Sequence, residues 1–100
     1  MKNLSHPATA DIKLEQILYA LSEPIRLAIF RELYKSNKER NCSYFSDLGK
    51  KNNLSHHYKM LRENGLIRVR IEGRQRFISL RLDELNERFP GLLESIYESL

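Results

Sequence analysis

The hydrophobic period of this chain switches from helical to alternating at a single glycine, and that switch limits the folds open to it. Before Gly65, the residues Leu54, Tyr58 and Leu61 recur at the i, i+4, i+7 spacing of one helix face. Gly65 stops that helix. After it, Ile67-Arg68-Val69-Arg70-Ile71-Glu72 alternates apolar and charged residues, the pattern of a strand buried on one face. Gly73 marks a turn, and Arg76 to Leu82 returns with Ile78, Leu80 and Leu82 directed inward. A helix running straight into a basic two-stranded ribbon is therefore predicted.

The rest of the chain reads as helices. Residues 1–10 are polar, contain Pro7 and are expected to be a flexible N-terminal segment. Asp11 is a candidate N-cap for a helix of about ten residues carrying Ile12, Ile17, Leu18 and Leu21. Pro24 suits the first turn of a second helix, where its missing N–H costs nothing. That helix has a stripe of Ile25, Ala28, Ile29 and Leu33, widened by Leu27 and Phe30, with Arg26 and Arg31 largely outside it. Ser36 to Asn41 is a charged loop. Tyr44, Phe45 and Leu48 suggest a short helix ended by Gly49, and the next helix spans about Lys50 to Asn64. Asp83 is a candidate cap for the last helical region, striped by Phe89, Leu92, Leu93, Ile96 and Leu100, with Pro90 kinking or restarting it. The expected architecture is mainly α with a β-hairpin wing, in the order α-α-α-α-β-β-α. It forms one winged helix-turn-helix domain over residues 11–100.

One hundred residues suit a single domain with a modest core, which pairing with a second copy would extend. No apolar run reaches membrane-spanning length, and the N-terminus lacks the apolar core of a secretion signal, so the cytoplasm is the expected compartment. The lone cysteine, Cys42, excludes an internal disulfide and a multi-thiol metal site, and is expected to be an inert thiol. The net charge of +4 is unevenly spread. Residues 50–82 hold nine Lys/Arg against two acids, whereas residues 83–100 carry a net −4. A polyanion is the natural partner for the central block.

With Leu54, Tyr58 and Leu61 inward, the outward side of the fourth helix holds Lys50, Lys51, Asn52, Asn53, Ser55, His56 and Lys59. These residue types donate to base edges and phosphates, and the first turns of such a helix are the part that enters the major groove. On the ribbon, Arg70, Arg74, Gln75 and Arg76 are candidate sugar-phosphate or minor-groove contacts, with Arg68 a weaker one. Arg74, at the tip, is the best placed.

His56 and His57 point about 100° apart on a helix and cannot chelate one ion together. No third ligand completes a metal site, so no metal or other cofactor is expected. His56 is read as a DNA-facing donor and His57 as a partly buried residue satisfied by the backbone. Ile12, Leu14, Leu18, Leu93, Ile96, Tyr97 and Leu100 on the terminal helices are candidates for a two-fold interface, because palindromic DNA is read by two copies. No phosphate-binding glycine loop, acid pair or nucleophile–base constellation supports an enzyme.

Two stretches carry a family resemblance. They are Ala20-Leu21-Ser22-Glu23-Pro24-Ile25-Arg26-Leu27 and the run from Leu54 through Ser55-His56-His57-Tyr58 to Leu66-Ile67, joined by the wing residues Glu72-Gly73-Arg74. Together they resemble the ArsR/SmtB family of winged-helix repressors over roughly residues 10–100. The resemblance implies a homodimer that binds operator DNA, blocks transcription and is released by a signal.

The departures concern that signal. Metal-sensing members carry Cys-x-Cys-Asp-Leu in the third helix, where this chain has Tyr44-Phe45-Ser46-Asp47-Leu48, and the last helix holds no histidine. Oxidation-sensing members use two cysteines, and here there is one. Lys50 stands where the family commonly has a Ser or Thr cap. The expectation is a metal-independent, homodimeric repressor that binds double-stranded DNA, with room for an unidentified small-molecule or protein effector. The alternative is a winged-helix protein-interaction module, antirepressor- or antitoxin-like, that does not read DNA.

Overall fold

The alternation around Val69 forms strand β2 (Ile67–Glu72), which pairs antiparallel with β3 (Gln75–Leu80) from Glu72 opposite Gln75 to Ile67 opposite Leu80. The computed structural model describes residues 4–100. Ahead of the hairpin lie α1 (Leu14–Ala20), α2 (Pro24–Ser36), the two-residue strand β1 (Arg40–Asn41) and α3 (Lys51–Glu63). After it come α4 (Leu82–Arg88) and α5 (Leu92–Glu98). Short 3₁₀ segments occupy Thr9–Asp11 and Cys42–Leu48.

The structure corrects several sequence expectations. Part of the expected charged loop is β1, which pairs Arg40 with Ile78 and Asn41 with Phe77 and makes a three-stranded sheet in the order β1-β3-β2. Two residues are too few to show a period. The short helix before Gly49 is 3₁₀, opened by Asn41, whose side chain accepts from the Ser43 N–H at 2.9 Å. Asp11 lies in a 3₁₀ turn rather than capping α1; Gln16 Oε1 instead reaches back 2.8 Å to the Lys13 N–H. Asp83 sits in the first turn of α4 and does not cap it. As expected from Pro90, the last helical region restarts there: it is two helices parted at Pro90-Gly91.

Gly65 turns α3 into β2. Its N–H donates to Arg62 O at 3.1 Å and the Leu66 N–H to Leu61 O at 2.9 Å, the double bond of a glycine-terminated helix end. Its φ of +88° is left-handed, and a Cβ there would lie 2.5 Å from Ile12 Cδ1. Around this contact the core assembles from Ile17, Ile29, Phe30, Leu33, Leu61, Ile67, Ile78 and Leu85, all essentially inaccessible. Ile12 and Leu93 are also 0% exposed, so two residues expected at a two-fold interface belong to the interior instead.

A buried arginine anchors the N-terminal segment. Arg81, 3% exposed, donates to Glu84 at 2.8 Å, to Pro7 O at 2.8 Å and to Thr9 Oγ1 at 3.2 Å. Glu84 accepts in addition from Arg68 and Thr9. The His6 ring receives the Val69 N–H at 3.0 Å on the free edge of β2, and Arg62 donates to Ser5 O. Of the segment expected to be loose, Ser5 to Thr9 is thus tied to the domain at several points.

Two predictions follow from these contacts. Gly65→Ala will lower the denaturant midpoint by more than Gly73→Ala. Both strain a positive φ, at about 1–3 kcal/mol, but only Gly65 also forces a clash, since nothing lies near Gly73. The second concerns Glu84, whose carboxyl is held at about 2, against an ordinary 4.5, chiefly by its hydrogen bond from Arg81 and then by those from Arg68 and Thr9. Its contribution is present above pH 4.5 and is lost as pH falls toward 2. Glu84→Gln should therefore reduce stability at neutral pH and flatten the acid limb of a stability–pH curve.

Candidate nucleic-acid interface

Helix α3 presents its polar side to solvent. Lys51, Asn52, Asn53, Ser55, His56 and Lys59 are all exposed, while Leu54 and Leu61 are buried and Tyr58 half-buried. Lys50 occupies the N-cap position and makes no side-chain capping bond. The start of α3 therefore leaves backbone N–H groups available to an anion. Tyr58 fixes the inner face by donating its hydroxyl to Cys42 O at 3.0 Å.

Between α3 and the wing runs a groove of about 850 Å³. Leu54, Tyr58, Val69 and Leu4 contribute to its apolar wall, and Lys51, Lys59, Arg62, Arg74 and Arg76 supply the cations. Sequence patterning did not mark Arg62, because its position on α3 falls between the polar and apolar faces.

The wing arginines divide into two groups. Arg74 and Arg76 are exposed and take part in no ion pair among the described residues. Arg70, expected to contact DNA, is held by Glu39 at 2.8 Å and Glu72 at 2.6 Å, with its guanidinium 4.5 Å from the Phe77 ring centre. Arg68 is paired with Glu84 at 2.6 Å. To reach phosphate, Arg70 would have to leave two carboxylates. Gln75 is exposed, but its Oε1 accepts from Asn41 Nδ2 at 3.1 Å, which ties the turn end of β3 to β1. The signal for the Arg70 pairing was Glu39, an acid in a loop that shows its partner only once the sheet is formed.

The histidines separate as helical geometry requires. His56 is exposed, and its ring centre lies 5.9 Å from that of His57. His57 faces back into the domain, where its Nδ1 lies 3.2 Å from Arg26 Nη1. Its partner is therefore a side chain, not the expected backbone group. Arg26, read from the sequence as outside the apolar stripe, is only 7% exposed. Its Nε donates to Ala20 O at 2.7 Å, and its guanidinium lies 5.7 Å from the Tyr19 ring centre. Burial, then the Arg26 charge, lowers the His57 pKa below 6.5. Among the described residues no cluster of three His, Cys, Asp or Glu is placed to hold a metal, and no helix is long and apolar enough to cross a membrane.

On the far side of α1, Leu14, Leu18 and Tyr19 are 45%, 51% and 56% exposed. Leu100 is also exposed, while Ile96 and Tyr97 are half-buried, Tyr97 stacking on Tyr34 with ring centres 4.5 Å apart. Of the proposed two-fold contacts, Leu14, Leu18 and Leu100 are thus accessible, Ile96 and Tyr97 partly so. Tyr19 was missed, since it falls one position beyond the apolar spacing.

Comparison with known proteins agrees with this geometry. A helix-turn-helix domain family model matches residues 21–70. An uncharacterized HTH-type transcriptional regulator of Bacillus subtilis, YceK, is 43% identical over 86 residues, covering 81% of this chain and 83% of that protein. In fold, the chain is similar to an ArsR family transcriptional regulator of known structure, with TM-score 0.66 and 23% identity over 87% of this chain and 98% of that one. It is also similar to HlyU from Vibrio cholerae, with TM-score 0.61 and 24% identity over 75% and 89% of the two chains.

Cys42 lines the groove, and burial pushes its thiol up to about 11 although the nearby Arg76 charge pulls the other way. Its reaction with a disulfide reagent near pH 8 should be about a hundredfold slower than that of a free peptide thiol, whose pKa is about 8.5. Reaction at the free-thiol rate would show the sulfur to be accessible and ionised.

Proposed function

The chain belongs to the helix-turn-helix transcriptional regulators, and from that premise, with its ArsR-like winged fold in support, we propose that it is an ArsR-type, DNA-binding, homodimeric, metal-independent repressor acting in the cytoplasm. The observation that carries the reading is the groove between α3 and the wing. Four of its cations, Lys51, Lys59, Arg74 and Arg76, take part in no ion pair among the described residues. With α3 in the major groove, the exposed Lys51, Asn52, Asn53, Ser55, His56 and Lys59 face base edges and flanking phosphates. Arg74, beside the tip glycine, reaches the adjacent backbone or minor groove, with Arg76 and Gln75 beside it.

Two copies are proposed to join through α1 and the C-terminal end, using Leu14, Leu18, Tyr19 and Leu100, with Ile96 and Tyr97 at the margin. Such a pairing would cover four large apolar side chains that a lone subunit leaves in water. Repression would follow from occupying DNA that the transcription machinery needs. Metal independence rests on the residues present: Tyr44 and Ser46 stand where metal-sensing relatives have thiols, and no histidine follows His57. The signal that ends repression is then an effector of another kind, a small molecule or a protein.

Duplexes selected from a random pool supply the test. Arg74→Ala should weaken binding to every sequence and reduce the log–log salt slope by about one. Asn52→Ala should instead relax choice at one base position, at about 1–3 kcal/mol for a lost bidentate contact. If both variants matched the unmodified protein, this contact map would be wrong. A protein-interaction module that does not read DNA would show little affinity for random duplex at low salt and no steep salt dependence. For the pairing, Leu18→Glu should shift sedimentation toward single subunits while leaving the helical signal in place.

A further inference from the structure

Among the described residues, Arg26 is the one buried side chain that bonds both α1 and the recognition helix α3. Its Nε closes on the last carbonyl of α1, Ala20 O, at 2.7 Å, and its Nη1 lies 3.2 Å from His57 Nδ1 on α3. The planar guanidinium presents these donors in a fixed fork, so the two contacts hold the helices at one spacing. His57 stands directly beside two exposed positions of the reading face, His56 and, one turn earlier, Asn53. A small rotation of α3 about its axis at His57 would carry both across the base edges.

An arginine N–H can donate to Nδ1 only when that nitrogen keeps its lone pair. The structure therefore holds the His57 tautomer protonated on Nε2. A proton on Nδ1 would remove the acceptor and set imidazolium against guanidinium. Other charges also face the ring: Glu23, just before α2, favours its protonation, and His56 on its own helix opposes it. The ring centre of Tyr19 of α1 lies 5.7 Å from the guanidinium. We propose that Arg26 and His57 form a positioning latch for DNA reading, one that fixes α3 against α1 while His57 is neutral and releases it when His57 is protonated. The proposal rests on the regulator reading and adds to it a residue pair that sets discrimination.

The test compares two proteins that both carry His6→Gln and His56→Gln, so that any effect of those changes is common to both. In the first, His57 is then the sole histidine, since the chain has three. Its preference for a selected duplex over a scrambled one should fall about tenfold as pH drops from about 7.5 to 5.5, across the ordinary histidine range. In the second, His57→Gln keeps an acceptor for Arg26 that does not titrate, and the preference should stay within about twofold over the same pH range. Arg26→Lys, whose single ammonium does not reproduce the fork, should show reduced preference already at the higher pH.

An equal pH response in the two proteins would overturn the latch, as would an equal loss on selected and scrambled duplexes, which signals general unfolding. Nitrogen NMR of the His57 ring gives an independent reading. Titration at 6.5 or above, unchanged by Arg26→Lys, would refute the pairing itself. Failure to bind any duplex at low salt would overturn both the regulator reading and the positioning role, and the ring spectrum would still show whether Arg26 and His57 pair.

Discussion

The contact between Gly65 and Ile12 sets the geometry on which the reading surface depends. A helix that must give way at once to a strand needs a residue at positive φ. This one must also admit a core side chain where a Cβ would be, 2.5 Å from Ile12 Cδ1. Because Leu66 both closes α3 through Leu61 O and accepts from the Arg81 N–H after β3, the glycine links helix end, strand start and strand return. The angle between recognition helix and wing is thus fixed in the interior. That is the condition for side chains on two separate elements to meet one duplex in register.

Charge on this chain is better understood by its pairing than by its sum. The central block has nine basic side chains, yet Arg68, Arg70 and Arg81 serve Glu84, Glu39 and Glu72. Two of these pairs, Arg68–Glu84 and Arg70–Glu39, fasten β2 to α4 and to the segment before β1. The exposed ones among them are worth little as isolated interactions, but they restrict the wing's motion. What remains for an outside polyanion is a smaller set gathered at the start of α3 and the tip of the hairpin. The acidic stretch 83–100 supplies Glu84 to this internal neutralisation, which is why the +7 of residues 50–82 overstates the charge offered to a partner.

The parts legible in the sequence were those with enough residues to show a period. Leu54 and Leu61 placed α3, and the alternation from Ile67 to Glu72 placed β2, because each pattern repeats under one dominant constraint, burial of a face. β1 was hidden because two residues carry no period, and its pairing with Ile78 and Phe77 is a long-range event. Ile12 and Leu93 looked like interface residues because a stripe reports that a face is covered without saying by what. Arg26 misled for a related reason. A guanidinium is ordinarily outside, and its burial makes sense only when Ala20 O and His57 Nδ1 are brought to it by two other helices. The outward residues of α3 were readable as a face, whereas the division of wing arginines into free and paired depended on acids far away in sequence.

Helix α1 has seven residues, too few to persist in water on its own propensity. It is held from inside by Ile17 and Ala20 in the core and at its C-terminal end by Arg26, while Leu14, Leu18 and Tyr19 remain exposed. A helix so short, with an apolar outer face, gains most from a second surface that covers that face. If that surface is another copy of the chain, then whatever fixes α1 at the two-fold axis also fixes Ala20 O, and through Arg26 the position of His57 on α3. The spacing between the two reading helices of a pair would then be set by the same short helix that joins the subunits.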